Sequence, residues 1–371
     1  LVNGLQGKWT TDAIAEGFKN TSVIQDFMRG ETKGVLGNTA SWLYRNLMLL
    51  PKAVSQYDKT ILSVPTQIKN FLANSMFALA NGTIFESPDI IAQAAKRAGM
   101  TAQYGLRKPL SMEQYREYMR LGIVDTSAIK GDLDNLLRDT RLSANGNLGT
   151  DSLLDPLVKS LGKTGQMAKK GLQFAERVYT SSDDVIKIFN FEVELARRAK
   201  AYEKAGVKIA QDELKKEVAE IVKNTVQNYS RVGQLVRLSR GLPVGNFMSF
   251  PSEIFRTGVG IAEQILKDLR DPITGSINPI TSTNIMKGIA MKRLIGATTA
   301  TTALPYGLVE GSKAIFGVTD EEADAASDFV APWAKDSQKI FMRNPDNGEL
   351  YFVDWSKMNV YDTLQRPFAT L

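Results

Sequence analysis

The residues of this chain best suited to chemistry are carboxylates. Asp183 and Asp184 stand side by side, and Glu192 and Glu194 follow within the same helical pattern. Such a group could hold a divalent cation through oxygen ligands. Adjacent residues on a helix point about 100° apart, however, so Asp183 and Asp184 do not face one ion unless the helix breaks between them. They read more simply as a solvated helix N-terminus, where the macrodipole favours negative charge. The second candidate is basic. Between Ile221 and Gly260 the chain carries Lys223, Arg231, Arg237, Arg240 and Arg256 against Glu253 alone. Arg231, Arg237, Arg240 and Arg256 are the possible nucleic-acid contacts, because clustered guanidiniums neutralise phosphates. The run RVGQLVRLSRG contains no module that reads a groove, and a solvated surface is the competing reading.

The sequence has neither Cys nor His. That excludes disulfides, thiolate nucleophiles and Cys/His zinc sites. It also removes the one side chain whose ordinary pKa lies near neutrality, the usual base of serine hydrolases. Catalysis would have to rely on carboxylates, Lys or Tyr with shifted pKa values. No Gly-x4-Gly-Lys-Ser/Thr loop occurs, and the triplet Gly258-Val259-Gly260 follows no strand. No catalytic, cofactor-binding or metal-binding residue is assigned. The expectation is a chain without enzymatic activity of its own and without a cofactor.

The elements that would position these residues are helices. Apolar spacing predicts a broken amphipathic helix over Asp12–Met28 and another over Trp42–Val54 that Pro51 ends or kinks. Ser63-Val64-Pro65 opens a helix running from Thr66 to about Asn81, closed by Asn81-Gly82. Ser111 with Gln114 fits a capping box for a helix that stops at Gly122. The longest block runs from Met167 to about Ala205, with Val185, Ile188, Phe189, Val193 and Ala196 on one side and Gly206 as its stop. Thr180 with Asp183 could restart it after a short break. Tyr179, Phe189, Phe191 and Tyr202 read as core. Gln211 to about Tyr229 is a separate helix, and Ser230–Phe255 reads as irregular before helix returns at Glu263–Asp271. Asp320–Asp328, DEEADAASD, reads as an acidic turn. The period then changes: two alternating runs within Lys339–Trp355 flank Asn344-Pro345-Asp346-Asn347-Gly348, a β-hairpin signal.

Two stretches of sixteen residues carry no charge: Asn70–Phe85 and Leu294–Val309. At about 1.5 Å rise per residue each would span roughly 24 Å, short of the ~30 Å hydrocarbon core of a bilayer. Pro305 interrupts the second, and Asn70, Asn74 and Asn81 recur near one face of the first. Gly, Ala, Ser and Thr allow close backbone approach, so buried helix–helix packing is the leading reading and a conditional membrane segment the other. The residues proposed for this packing or membrane role are Phe71, Leu72, Phe77, Leu79, Leu294, Ile295, Leu304, Leu308 and Val309.

The fold class that follows is mainly α, an elongated multi-helix assembly with a small C-terminal β-hairpin. Three regions are expected: a helical region over 1–145, a long-helix region with the basic segment over 146–280, and a region over 281–371 with the apolar segment, acidic turn and hairpin. The loop-like Arg141–Pro156 supplies the boundary. Lys and Arg number 46 against 40 Asp and Glu, a net charge of +6, which is mild for 371 residues. The chain starts at Leu1 with no signal peptide after it, and is expected to be a piece of a longer polypeptide.

Three stretches carry a resemblance. SQYDKTILSVPTQIKNFLANSMFALANG (Ser55–Gly82) places a Lys-Thr segment and a Pro before an Asn-containing apolar helix. AERVYTSSDDVIKIFNFEVELARRA (Ala175–Ala199) combines an aromatic, Asp-Asp, Lys, Phe and Glu. FVAPWAKDSQKIF…NGELYFVDWSKMNVYDTLQRP (Phe329–Pro367) joins Pro-Trp, the hairpin and Tyr-Asp-Thr-Leu. Together they resemble the large internal virion, or ejection, proteins of short-tailed bacteriophages and the related large polyvalent proteins of phages. The resemblance implies a structural protein packed in the capsid near the portal, which leaves with the genome and helps form a conduit across the host envelope. Its implied partners are further copies of itself, other internal virion or portal proteins, packaged DNA and, after ejection, the host membrane. None of the three stretches is a catalytic motif, so the resemblance transfers no catalytic residue. The alternative is a nucleic-acid-binding accessory protein contacting packaged DNA through the basic segment.

Overall fold

The computed structural model describes residues 63–107, 112–124, 180–231 and 249–362, apart from 279 and 281, with isolated positions elsewhere. The chain divides into two compact units, each built from separated segments. One comprises 1–62, 128–173 and 229–250; the other comprises 63–127, 174–228 and 251–371 and holds almost all of the described residues. The helices expected over Asp12–Met28 and Trp42–Val54, the Ser111 cap, the Arg141–Pro156 loop, and Arg237 and Arg240 lie outside the described residues.

Among the described residues the architecture is mainly helical with one two-stranded antiparallel hairpin, as the patterning predicts. The helices are α1 (Val64–Ala80), α2 (Pro88–Arg107), α3 (Met112–Arg120), α4 (180–204), α5 (Gln211–Thr225), α6 (Ser249–Leu269), α7 (Lys287–Thr298), α8 (Leu304–Phe316) and α9 (Asp320–Asp328). The strands are β1 (Lys339–Arg343) and β2 (Leu350–Asp354). α1 starts where the Ser63 hydroxyl accepts the Thr66 N–H, with Pro65 in the first turn, where the missing N–H costs nothing. It stops at Asn81, and Gly82 takes a φ of 66°. The Asn81 amide donates to the carbonyls of Phe77 and of Thr225, tying the C-terminal ends of α1 and α5 together. α5 buries Leu214, Val218, Ile221 and Val222, at the three-and-four spacing of a helix face. Gly206, at a φ of 69°, terminates α4 as expected.

Three expectations about local structure are corrected. α6 begins at Ser249, inside the stretch read as irregular, because Pro251 falls in the first turn, where backbone N–H groups have no intrahelical partner. The acidic segment is a helix rather than a turn: Thr319 and Glu322 form a reciprocal capping box, and Asp320, Glu321 and Glu322 sit on the positive end of the helix dipole. Pro305 does not interrupt the charge-free stretch either. α7 passes into α8 through a π-turn over Thr299–Ala303, in which the Leu304 N–H reaches back to the carbonyl of Thr299. Widening the ladder at this point lets the helix absorb a proline that would clash inside a regular α-helix.

The small residues of that stretch have a packing reason. α7 and α1 meet backbone to backbone: a Cβ on Gly296 would fall on the Leu79 carbonyl oxygen and the Gly82 backbone, and one on Gly82 would fall on the Lys292 carbonyl. Ala300, one turn beyond Gly296, is fully buried. The same device recurs at Gly260 of α6, where a Cβ would meet the Asn224 carbonyl. Near the C-terminus α8, α9 and the hairpin share a small core of Val318, Ala323 and Phe341, with Leu350 and Phe352 against it. The strands pair Phe341 with Phe352 and turn at Gly348, at a φ of 73°, as the sequence predicts. Ser312 of α8 accepts the Phe341 N–H at 2.9 Å, and Arg343 pairs with Glu322 at 2.6 Å, so the hairpin is fastened to both helices.

Gly296→Ala should lower stability by about 1–3 kcal/mol in urea unfolding, the usual cost of forcing a methyl group into a packed contact. Gly307→Ala, on the open side of α8, should raise it by up to ~1 kcal/mol through helix propensity.

Candidate functional site

α4 carries the residues that the sequence offered for chemistry, and from Ser181 to Arg198 it lies in the interior rather than at the surface. Its polar side chains are buried in succession: Asp183, Asp184, Lys187, Asn190, Glu192, Glu194, Arg197 and Arg198. Ile188 and Val193 are fully buried, while Val185, Phe189 and Ala196 are half-buried, so the helix is enclosed around most of its circumference rather than along one stripe. Phe191 is core, packed edge-on against Tyr118 with 5.8 Å between ring centroids.

The reading of Asp183 and Asp184 as a solvated N-terminus is therefore corrected. Thr180 is already helical, and both aspartates are buried. Asp183 receives Lys187 Nζ at 2.6 Å and Gln227 Nε2 at 2.8 Å, with Asn74 Nδ2 at 3.3 Å from the same oxygen as Gln227. Asp184 receives the Tyr115 hydroxyl at 3.0 Å. The two carboxylates diverge into different partners, as the 100° step between neighbours requires. Glu192 takes a third direction, receiving Arg97 at 2.5 Å and the Tyr118 hydroxyl at 2.6 Å. Burial, reinforced by the Glu192 charge, raises the Tyr118 phenol far above its ordinary range. Among the described residues no three Asp, Glu, His or Cys side chains converge in a metal-ligating group.

The densest cluster is one that sequence reading did not assemble. Glu194 accepts Arg198 Nε at 2.7 Å, Arg293 Nη2 at 2.7 Å and Arg197. Asp268 of α6 accepts Arg198 Nη2 at 2.6 Å and Arg293 Nη1 at 2.9 Å, and its other oxygen accepts Gln264 Nε2 at 2.9 Å. Glu217 of α5 accepts Arg198 Nη1 at 2.9 Å and the Tyr202 hydroxyl at 3.0 Å. Arg197 donates from both terminal nitrogens to the Asn81 carbonyl at the end of α1. Three guanidiniums thus meet three carboxylates, and the set joins α1, α4, α5, α6 and α7. The sequence signal available was Glu194 spaced three and four residues from Arg197 and Arg198. Nothing local announced Asp268 or Arg293.

Burial alone would push the Glu194 carboxyl up, but Arg197, Arg293 and Arg198 outweigh it and hold the group well below the ordinary carboxylate range. Glu194 therefore stays ionised, and the cluster works as an electrostatic clamp between helices. Removing one partner leaves a buried charge uncompensated, which costs about 3–5 kcal/mol.

The other predicted site residues scatter. Arg256 donates to both oxygens of Glu253, at 2.8 and 2.7 Å, and to the carbonyls of Lys223 and Val226 that end α5, so its guanidinium is committed within the fold. Arg231 is half-buried in the turn Tyr229–Arg231. Phe77 is fully buried and stacks edge-on with Tyr361 at 6.0 Å, while Leu72 and Leu79 are half-buried and Phe71 is exposed. Leu304, Leu308 and Val309 are half-buried, whereas Leu294 and Ile295 face outward. A cavity of about 740 Å³ opens between α8, α9 and the hairpin, walled in part by Tyr306, Asp324 and Lys339. Lys339 there donates to the Lys335 carbonyl at 2.7 Å, and burial pushes its ammonium pKa down.

Arg293→Met should lower the unfolding free energy by about 3–5 kcal/mol with the slope in urea unchanged, since it takes one guanidinium from both Glu194 and Asp268 and leaves the buried cluster short of one positive charge. The pH dependence follows from the direction of the Glu194 shift. Its folded pKa is depressed, so its contribution is complete above the unfolded value of about 4.3 and is lost as pH falls below it. A thermal midpoint that drops steeply below about pH 4 in the native chain, and less steeply in Glu194→Gln, checks this. Comparison with protein-family models, curated proteins and solved structures finds no match for the chain.

Proposed function

We propose that this chain is a structural internal virion protein of a bacteriophage, packed near the portal and contributing to the conduit that delivers the genome across the host envelope. The observation that carries the reading is the two-faced helix α7–α8. One side is locked into the core through Gly296, Ala300 and Arg293. The other presents Leu294, Ile295 and Tyr306 to solvent along the stretch without charge from Leu294 to Val309. An apolar face on a helix that is already anchored from behind is suited to covering by a sister helix, first in the particle and later in an assembled conduit.

The resemblance of Ser55–Gly82, Ala175–Ala199 and Phe329–Pro367 to internal virion proteins supports the same reading. Among the described residues no helix is long and apolar enough to cross a membrane, which fits helices that act through mutual packing rather than as free spans. The nucleic-acid reading keeps less support, because Arg256 is committed to Glu253 and to helix-ending carbonyls.

Deleting the stretch would remove Gly296 and Ala300 from the core, so surface variants are the sharper test. Light scattering should show concentration-dependent self-association of the native chain, and Ile295→Lys with Tyr306→Lys should abolish it without lowering the thermal midpoint. Mass spectrometry of intact and emptied particles should find the chain only in the former. A native chain that stays monomeric and is absent from particles overturns the proposal.

A further inference from the structure

A second surface feature stands apart from the α7–α8 face. Between α4, the start of α7 and the turn before α2 lies a cavity of about 430 Å³. Its wall contains Arg197, Lys200 and Lys204 of α4, Lys292 of α7, and Glu86 with Ser87. Lys200 and Lys204 are one helical turn apart and share this wall, as the spacing of four residues dictates. Both are exposed, and among the described residues neither forms an ion pair. Glu203, the nearest carboxylate along α4, is not part of the wall.

The charges around the cavity can be matched in pairs. Arg197, Arg198 and Arg293 are balanced by Glu194, Asp268 and Glu217. Lys292 is balanced by Glu86 at 2.7 Å. Lys200 and Lys204 remain, two positive charges on one concave wall. Two further groups point the same way. Arg197, deeply buried, keeps its Nε–H without an acceptor among the described residues. α7 begins with no side-chain cap and no acidic residue in its first turn, and Gly288 of that turn also lines the cavity, so the positive end of the helix dipole adds to the field. The volume lies in the range of small-molecule sites, about 300–1,000 Å³.

We infer that this cavity binds a small phosphate group carrying two or more negative charges, a phosphate monoester or diphosphate, with Lys200 and Lys204 as its principal counter-charges and the Ser87 hydroxyl and Arg197 as hydrogen-bond donors. A phosphate of charge near −2 neutralises the two unmatched lysines, and its oxygens accept several charge-assisted hydrogen bonds at once. The inference is independent of the virion reading, because it uses neither the α7–α8 face nor any partner chain.

Isothermal titration of the full chain with inorganic pyrophosphate at low ionic strength tests it. The native chain should bind at one site. Lys200→Ala with Lys204→Ala should weaken binding roughly tenfold or more, the loss of two charge-assisted contacts, with an unchanged thermal midpoint. Lys208→Ala with Lys216→Ala, which removes two exposed lysines outside the cavity, should leave it unaltered. Sedimentation with vesicles containing phosphatidic acid separates the sources. Vesicle capture that pyrophosphate competes away assigns the phosphate to a lipid headgroup, and pyrophosphate binding without capture assigns it to a soluble molecule. Absence of pyrophosphate binding, or equal weakening in both double variants, overturns the inference.

Discussion

A charged helix in a protein interior imposes one condition on everything around it: each charge must meet an opposite charge or a hydrogen-bonding partner in good geometry. α4 meets this condition with partners drawn from six other helices and from Gln227 just beyond α5. Arg97, Tyr115, Gln227, Asp268 and Arg293 come from positions far from α4 in the sequence, yet all reach it. Guanidinium forks and carboxylates are satisfied only over a narrow range of distances and angles. The ion pairs therefore fix how α4, α6 and α7 are rotated and shifted against one another, whatever their net contribution to stability.

The backbone contacts act with that clamp. Arg293 and Gly296 lie three residues apart on α7, so the side chain that reaches Glu194 and the bare Cα that seats on Leu79 belong to neighbouring positions on one helix face. Closing the helix–helix distance at Gly296 brings Arg293 within reach, and the ion pairs hold the helices at the distance where the glycine is needed. The π-turn that follows re-aims the chain into α8. That directs Ser312 to β1 and leaves Tyr306 and Ile315 outside.

Most of the helices were legible as patterns. α1, α5 and the Gly206 stop follow from apolar spacing and capping chemistry, and the hairpin from Asn344–Gly348 between alternating runs. The errors arose where a local rule met a tertiary exception. Pro251 and Pro305 read as breakers, yet one sits in a first turn and the other behind a widened one. Asp183 and Asp184 read as surface because aspartates usually are; Lys187 at i+4 is a local signal, but nothing within α4 shows that Gln227, Asn74 and Tyr115 converge on them. Of the clusters, the Glu194–Arg197–Arg198, Asp183–Lys187 and Glu253–Arg256 portions were encoded at helical spacing, and the partners on other helices were not.

The sequence by itself determined the helical class, the hairpin and its turn, and the absence of thiol and imidazole chemistry, because these depend on residue type and on neighbours within a few positions. It also determined that a charge-free stretch of small residues exists. Only the tertiary structure decided that α4 is interior, that its carboxylates point to separate partners, that Arg256 is committed to the fold, and which side of α7–α8 faces water. Those outcomes rest on pairings between residues up to 206 positions apart, as between Glu86 and Lys292, and no periodicity along a chain records which distant side chain will complete a buried charge.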